Sequence, residues 1–126
     1  MSGLSKVARV VAAAGLCAGV LATAGCSGDD APPSLTGVWT ADDGSAAKVV
    51  NDDGRCSGMY YNNGRTLDIG GGMTCALGST PDAAGTYVLV VRQPPNERTY
   101  RVRFEGSNKA ALLESDGSVV VTLSRQ

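Results

Sequence analysis

Clusters of turn-forming residues recur along most of this chain at intervals that only short extended segments can fill. They are rich in glycine, asparagine and aspartate, and lie at residues 42–44, 52–54, 62–64, 70–72, 94–96, 106–108 and 116–117. Tight hairpin turns need positive φ, which glycine accepts freely and Asn or Asp tolerate. Because the clusters follow one another about every ten residues, they predict a succession of β-hairpins.

Between the turns, the sequence alternates as strands with one buried face do. In residues 99–105 the apolar Tyr100, Val102 and Phe104 alternate with polar or charged residues. This period of two predicts one face in the core and one in water. Residues 87–91 are apolar throughout, which favours a central strand with some cover on both faces.

A second alternating segment, residues 118–124, is expected to bury Val119, Val121 and Leu123. Beyond the first 25 residues no segment shows a convincing helical stripe. Residues 81–84 are the one candidate for helix, and we expect at most one short turn there.

A sheet of about eight short strands has edge strands that could pair with other chains. In a domain of this length the usual solution is closure into an antiparallel barrel. We therefore predict an all-β fold, a small meander barrel over residues 35–126. An immunoglobulin-like sandwich is the alternative, but Cys56 and Cys75 are too close in sequence for its inter-sheet bridge. With one Phe, one Trp and four Tyr, a filled core is favoured over a roomy cavity.

The first 25 residues are composed like a secretory signal. Lys6 and Arg9 precede an apolar stretch that ends in small residues. A transmembrane helix needs about 20 apolar residues, and this run is shorter and interrupted by glycine. Its end, Ala24-Gly25-Cys26, resembles the lipobox of bacterial lipoproteins, in which the cysteine is diacylated on sulfur and becomes the mature N-terminus.

That resemblance implies lipid attachment at Cys26 and anchoring to the extracytoplasmic face of the cell membrane. Thr23 stands where the lipobox usually has Leu. An ordinary secretory cut after Ala24 is therefore the alternative.

The cysteine count bears on this choice. Of four cysteines, Cys17 leaves with the signal, so an odd number remains in an oxidising compartment. Acylation of Cys26 accounts for the odd thiol and leaves Cys56 and Cys75 to form a disulfide. A metal site is the competing explanation, but the chain has no histidine to join these two thiols. We expect neither a metal nor a cofactor.

Residues 26–34 are polar and contain glycine and proline, which predicts a flexible tether before a single domain. Loss of Lys6 and Arg9 with the signal leaves 101 residues with nine Lys/Arg against twelve Asp/Glu, a net charge of −3. Nucleic acid is excluded as a partner, because phosphate binding needs a basic excess.

Four arginines cluster in the C-terminal half of the chain, and we expect them to form the solvated face of a hairpin. They are Arg92, Arg98, Arg101 and Arg103.

Two family resemblances bear on the fold. Gly37-Val38-Trp39, with Arg125 after the last apolar segment, is similar to the lipocalin-like (calycin) barrels. That likeness implies that Trp39 plugs one end of the barrel and that Arg125 packs across it as a structural pair.

The second resemblance is to META-type envelope domains, which also occur in bacterial lipoproteins. It rests on residues 35–39, 54–60 and 73–75, which include Cys56 and Cys75.

We do not expect an enzyme. Without histidine, Ser-His-Asp and Cys-His arrangements are impossible, and oxidised cysteines are not nucleophiles. Most carboxylates sit in turns, where turn geometry explains them. A hydrolase that uses carboxylates alone is the remaining catalytic alternative.

The leading functional hypothesis is a non-enzymatic, membrane-anchored lipoprotein whose barrel binds an envelope protein or a small apolar ligand. The alternative is a protease inhibitor, because secreted bacterial metalloprotease inhibitors resemble this chain in size, in Gly-x-Trp and in having one disulfide.

Overall fold

The computed structural model describes residues 33–126. The predicted signal, Cys17, Cys26 and the tether up to residue 32 lie outside this range. Within it the strands are β1 Gly37–Ala41, β2 Lys48–Val50, β3 Cys56–Ser57, β4 Tyr61–Asn62, β5 Arg65–Thr66, β6 Thr74–Leu77, β7 Tyr87–Gln93, β8 Asn96–Phe104, β9 Lys109–Leu113 and β10 Val119–Arg125. No helix occurs among the described residues.

Eight of these strands form one antiparallel sheet in the order β3-β2-β1-β10-β9-β8-β7-β6. This is a meander in which β10 returns to pair with β1. The predicted all-β, eight-stranded, antiparallel barrel-like fold is confirmed.

The two end strands of the sheet, β3 and β6, meet along a short seam formed by residues 54–56 and 73–75. The Cys56 N–H donates to the Met73 carbonyl at 3.0 Å, and the Cys75 N–H donates to the Gly54 carbonyl at 2.8 Å. The predicted Cys56–Cys75 disulfide is present there, with the two Cα atoms 5.8 Å apart. The barrel is nearly closed, and the bond joins its two edges.

Strands β4 and β5 form a separate hairpin between β3 and β6 in sequence. Asn62 pairs with Arg65, and the two residues between them, Asn63 and Gly64, have φ of 54° and 76°. Two consecutive positive φ values are typical of a type I′ turn, which Asn-Gly favours. The turn predicted at residues 62–64 is confirmed.

The expected helical turn at residues 81–84 does not form. The Asp82 carboxylate instead accepts the backbone N–H groups of Ala84 and Thr86, each at 2.9 Å, and the Thr86 hydroxyl at 2.6 Å. A short carboxylate side chain that captures nearby N–H groups competes with the helical hydrogen bonds.

One prediction of burial is wrong. Val119 is 55% exposed, because the register of β10 against β9 shifts between Val119 and Val121, and a bulge there interrupts the alternation. The outward side of β7 has partial cover, since Val90 is half-buried and Val88 is 43% exposed.

The interior of the barrel is filled by large side chains. Those exposed by less than 2% include Trp39, Met59, Tyr61, Leu89, Tyr100, Leu112 and Leu123. Interiors packed in this way are about as dense as organic crystals. The aromatic residues are few, but Trp39, Tyr61 and Tyr100 are the largest fully buried side chains of the described residues.

Candidate functional site

Arg125 and Trp39 are in contact near the β8–β9 connection. The Arg125 guanidinium carbon lies 4.2 Å from the centroid of the Trp39 ring. The three guanidinium nitrogens donate to the carbonyls of Ser34, Thr36 and Ser107 at 2.9, 2.5 and 2.9 Å. Because its guanidinium packs over the Trp39 ring and all three guanidinium nitrogens donate to carbonyls, Arg125 acts here as a structural residue.

The glycine of the Gly-x-Trp motif has a physical explanation in this contact. Gly37 has a φ of 136°, and a Cβ atom there would overlap a guanidinium nitrogen of Arg125. Only glycine allows β1 to pass this close to the arginine.

Each of the four clustered arginines faces a carboxylate. The pairs are Arg92–Glu97 at 3.4 Å, Arg98–Glu114 at 3.2 Å, Arg103–Glu105 at 3.8 Å and Arg101–Asp82. Arg98 differs from the others, since it also donates to the Tyr61 carbonyl at 3.0 Å and lies 5.6 Å from the Tyr100 ring centroid. The charge of the cluster is therefore balanced locally, and Arg98 is not part of a solvated face.

The most unusual side chain of the described residues is Lys48. It begins β2 and is fully buried, although lysine is almost never so unless paired. Its Nζ donates to the Ser45 hydroxyl oxygen at 2.7 Å and lies 4.8 Å from the centroid of the Tyr61 ring. No ion pair among residues 33–126 includes Lys48.

Asp43 completes a polar cluster with Ser45, Lys48 and Tyr61. One carboxylate oxygen of Asp43 accepts the Ser45 backbone N–H at 2.9 Å and the Ser45 hydroxyl at 2.6 Å. The other accepts the Tyr61 hydroxyl at 2.8 Å. Ser45 therefore stands between the lysine nitrogen and the carboxylate.

The β4–β5 hairpin is held over this cluster mainly through Tyr61. The Tyr100 hydroxyl, inside the barrel, accepts the Tyr61 N–H at 2.7 Å and donates to the Tyr61 carbonyl at 3.0 Å. These bonds satisfy the backbone of a very short strand at a buried position.

The charges in the cluster influence one another. Burial lowers the pKa of the Lys48 ammonium below its usual 10.5, although the Asp43 charge opposes this. Burial also opposes ionisation of Asp43, but hydrogen bonds from Ser45 and Tyr61 and the nearby Lys48 outweigh it, and the pKa of Asp43 falls below its usual value. Burial, reinforced by Asp43, raises the pKa of Tyr61, which keeps its hydroxyl a donor.

Two protonation states of Lys48 give this cluster two different properties. When Lys48 is protonated, its ammonium donates to the Ser45 hydroxyl, which donates to the Asp43 carboxylate. Tyr61 also donates to Asp43, so these bonds connect the β1–β2 connection to the hairpin. With Lys48 neutral, its lone pair is able to accept the Ser45 proton.

The sequence reasoning missed Ser45 and Lys48. One signal was present: Lys48 lies two residues before the core residue Val50, so the period of two in β2 places both side chains on the inward face.

Within residues 33–126 no group of three or more His, Cys, Asp or Glu residues could hold a metal ion. No helix in that range is long and apolar enough to cross a membrane.

No protein-family model, curated protein or solved structure matches this chain. Its function has to be inferred from its own residues.

Proposed function

We propose that this protein is an envelope lipoprotein, anchored through a lipidated Cys26 on the extracytoplasmic face of the cell membrane, whose barrel binds a partner protein through its outer surface. The anchoring part rests on the sequence of the leader. The binding part rests on two features of the described domain.

The first feature is the filled interior. An eight-stranded barrel has room either for side chains alone or for one small ligand. Here Trp39, Tyr61 and Tyr100 occupy the interior and are at most 1% exposed. This favours recognition on the outside of the barrel over capture of a small apolar ligand inside it.

The second feature, which carries the proposal, is a face without charged side chains. It comprises the outward positions of four adjacent strands, β3, β2, β1 and β10, and we call it the uncharged face. Register places Val38 beside Val49, Val49 beside Ser57, and Thr40 beside Ser124. Its residues are Val38, Thr40, Val49, Ser57, Thr122 and Ser124.

The outward positions of β7 and β8 differ, since they carry Arg92, Glu97, Arg101 and Arg103. Protein interfaces are depleted of charge at their centre, while ordinary surfaces carry it. Exposed apolar side chains occur on both sides, since Val38 is 38% exposed and Val88 on β7 is 43% exposed, so charge is what distinguishes the two faces. The uncharged face is therefore the better candidate for protein contact.

A pair of matched substitutions tests the binding surface. Thr40 lies on the uncharged face and Thr99 on the charged side, and both are exposed strand residues. After cross-linking in intact cells, Thr40→Lys should reduce the recovered partner at least about 10-fold, equivalent to about 1.4 kcal/mol. Thr99→Lys should leave recovery unchanged. Equal recovery with both variants would remove the uncharged face from the proposal.

Anchoring is tested separately. Cys26→Ser should abolish acyl labelling and move the protein from the membrane to the soluble fraction. Unchanged fractionation of this variant would disprove lipid anchoring without bearing on the binding face.

A further inference from the structure

The buried Lys48 and the hydroxyl of Ser45 form a pair in which chemical reactivity is possible. Lys48 Nζ and Ser45 Oγ are 2.7 Å apart, which is the hydrogen-bond reach required between a nucleophile and its base. Ser45 is only partly buried, whereas Lys48 is fully buried. A partly buried serine thus adjoins a fully buried amine.

We propose that Ser45 is a nucleophile toward acyl compounds, such as simple esters, and that Lys48 in its neutral form is its general base. Serine–lysine pairs are one of the known ways to activate a serine without histidine. This activity goes beyond the proposed partner binding and does not depend on it.

Burial provides a reason for Lys48 to be neutral. Taking an ammonium group out of water is costly unless a carboxylate pairs with it. Among the described residues Lys48 has the Ser45 hydroxyl and the face of Tyr61 as neighbours, and it takes part in no ion pair. The Asp43 charge nearby opposes but does not cancel this effect.

Asp43 competes for the Ser45 proton, since its carboxylate lies 2.6 Å from the hydroxyl oxygen. It does not need that proton, however, because the Ser45 N–H and the Tyr61 hydroxyl also donate to it. When the Ser45 hydroxyl turns toward neutral Lys48, Asp43 remains hydrogen-bonded through both oxygens. Asp43 is therefore a positioning residue, which holds the Ser45 backbone and Tyr61.

Ser45 lines an open groove of about 320 Å³ between the β1–β2 connection and the β4–β5 hairpin. Its lining is Asp43, Gly44, Ser45, Gly64, Arg65 and Thr66. A groove of this size admits a small acyl group, while the filled barrel behind it does not.

The chemical step balances within these groups. Lys48 Nζ takes the hydroxyl proton as Ser45 Oγ bonds to the acyl carbon, and the bond from that carbon to the leaving oxygen breaks. The proton on Lys48 passes to the leaving oxygen, which departs as an alcohol. Water then attacks the acyl-serine by the same route, with Lys48 as base, and releases the acid and free Ser45.

The test uses a fluorophosphonate probe, which reacts with activated serines, on the full-length protein. We expect a single adduct, located at Ser45 by peptide mass spectrometry. Ser45→Ala should abolish it, and Ser115→Ala, at an exposed serine between β9 and β10, should not change its rate. Failure of excess probe to modify Ser45 in the folded wild-type protein would overturn the proposal.

The role of Lys48 needs its own measurement. Lys48→Met keeps most of the length of the side chain and removes the base, and should slow labelling at least about 100-fold. An unchanged rate would overturn the assignment of Lys48. If that variant does not fold, the pH profile of the wild-type protein decides. Labelling should rise with pH and level off below the 10.5 of an ordinary lysine, and a rate that does not change from about pH 6 to about pH 10 would also overturn the assignment.

Discussion

Removal of the seam disulfide tests how the barrel is held closed. The Cys56→Ser/Cys75→Ser double variant loses a cross-link between residues 19 apart in sequence. In the chain-entropy model, a loop of about 20 residues is worth about 3 kcal/mol at 25 °C. For a domain of this size such a loss lowers Tm by roughly 12–24 °C. Within residues 33–126, only two backbone hydrogen bonds remain along the seam, and together they form the isolated Arg55–Thr74 bridge, so little else compensates.

Two measurements on the same pair of proteins check this prediction. Urea denaturation should show the loss of about 3 kcal/mol in the unfolding free energy. Native-state hydrogen exchange should show faster exchange of the amides at residues 56 and 75, while the Val102 amide in β8 remains protected relative to the global stability. A loss below about 1 kcal/mol with unchanged seam protection would mean that the barrel is closed without the disulfide.

Two further predictions concern single residues. Trp39→Ala should lower the unfolding free energy by about 3–5 kcal/mol, because it empties a fully buried site under Arg125, and a loss below about 1 kcal/mol in urea denaturation would contradict that packing. Hydrogen bonds from Thr86, with smaller contributions from Ala84 and Arg101, lower the pKa of Asp82 from 3.8 to about 2. The ionised carboxylate therefore stabilises the fold above about pH 4, and this stabilisation is lost as the pH falls through about 2. Thermal unfolding across that range should therefore show a smaller acid-induced decrease in Asp82→Asn than in the wild-type protein, and equal slopes would refute the assignment.

Much of the fold was predictable because it depends on local rules. Turn residues at regular intervals and period-two alternation, as in Tyr100 and Val102, are properties of short segments, and they suffice to define a meander. The exposure of Val119 was not predicted, because the bulge that causes it depends on pairing with the neighbouring strand.

The polar cluster was harder to predict for a related reason. Lys48 looks like a surface residue in sequence, and its burial depends on Tyr61, which lies 13 positions later on a strand of two residues. That strand in turn is fixed by Tyr100, which is 39 positions further on. The disulfide was predictable by contrast, since counting cysteines requires no tertiary contact.

Site-specific photo-cross-linking tests most directly whether the uncharged face meets a partner. A benzophenone amino acid is placed at position 40 or at position 99 of the full-length protein, and intact cells are irradiated. We predict a discrete covalent adduct with one envelope protein from position 40 and none from position 99. Adducts of equal yield from both positions, or an adduct from position 99 alone, would contradict the assignment of the uncharged face as the binding surface.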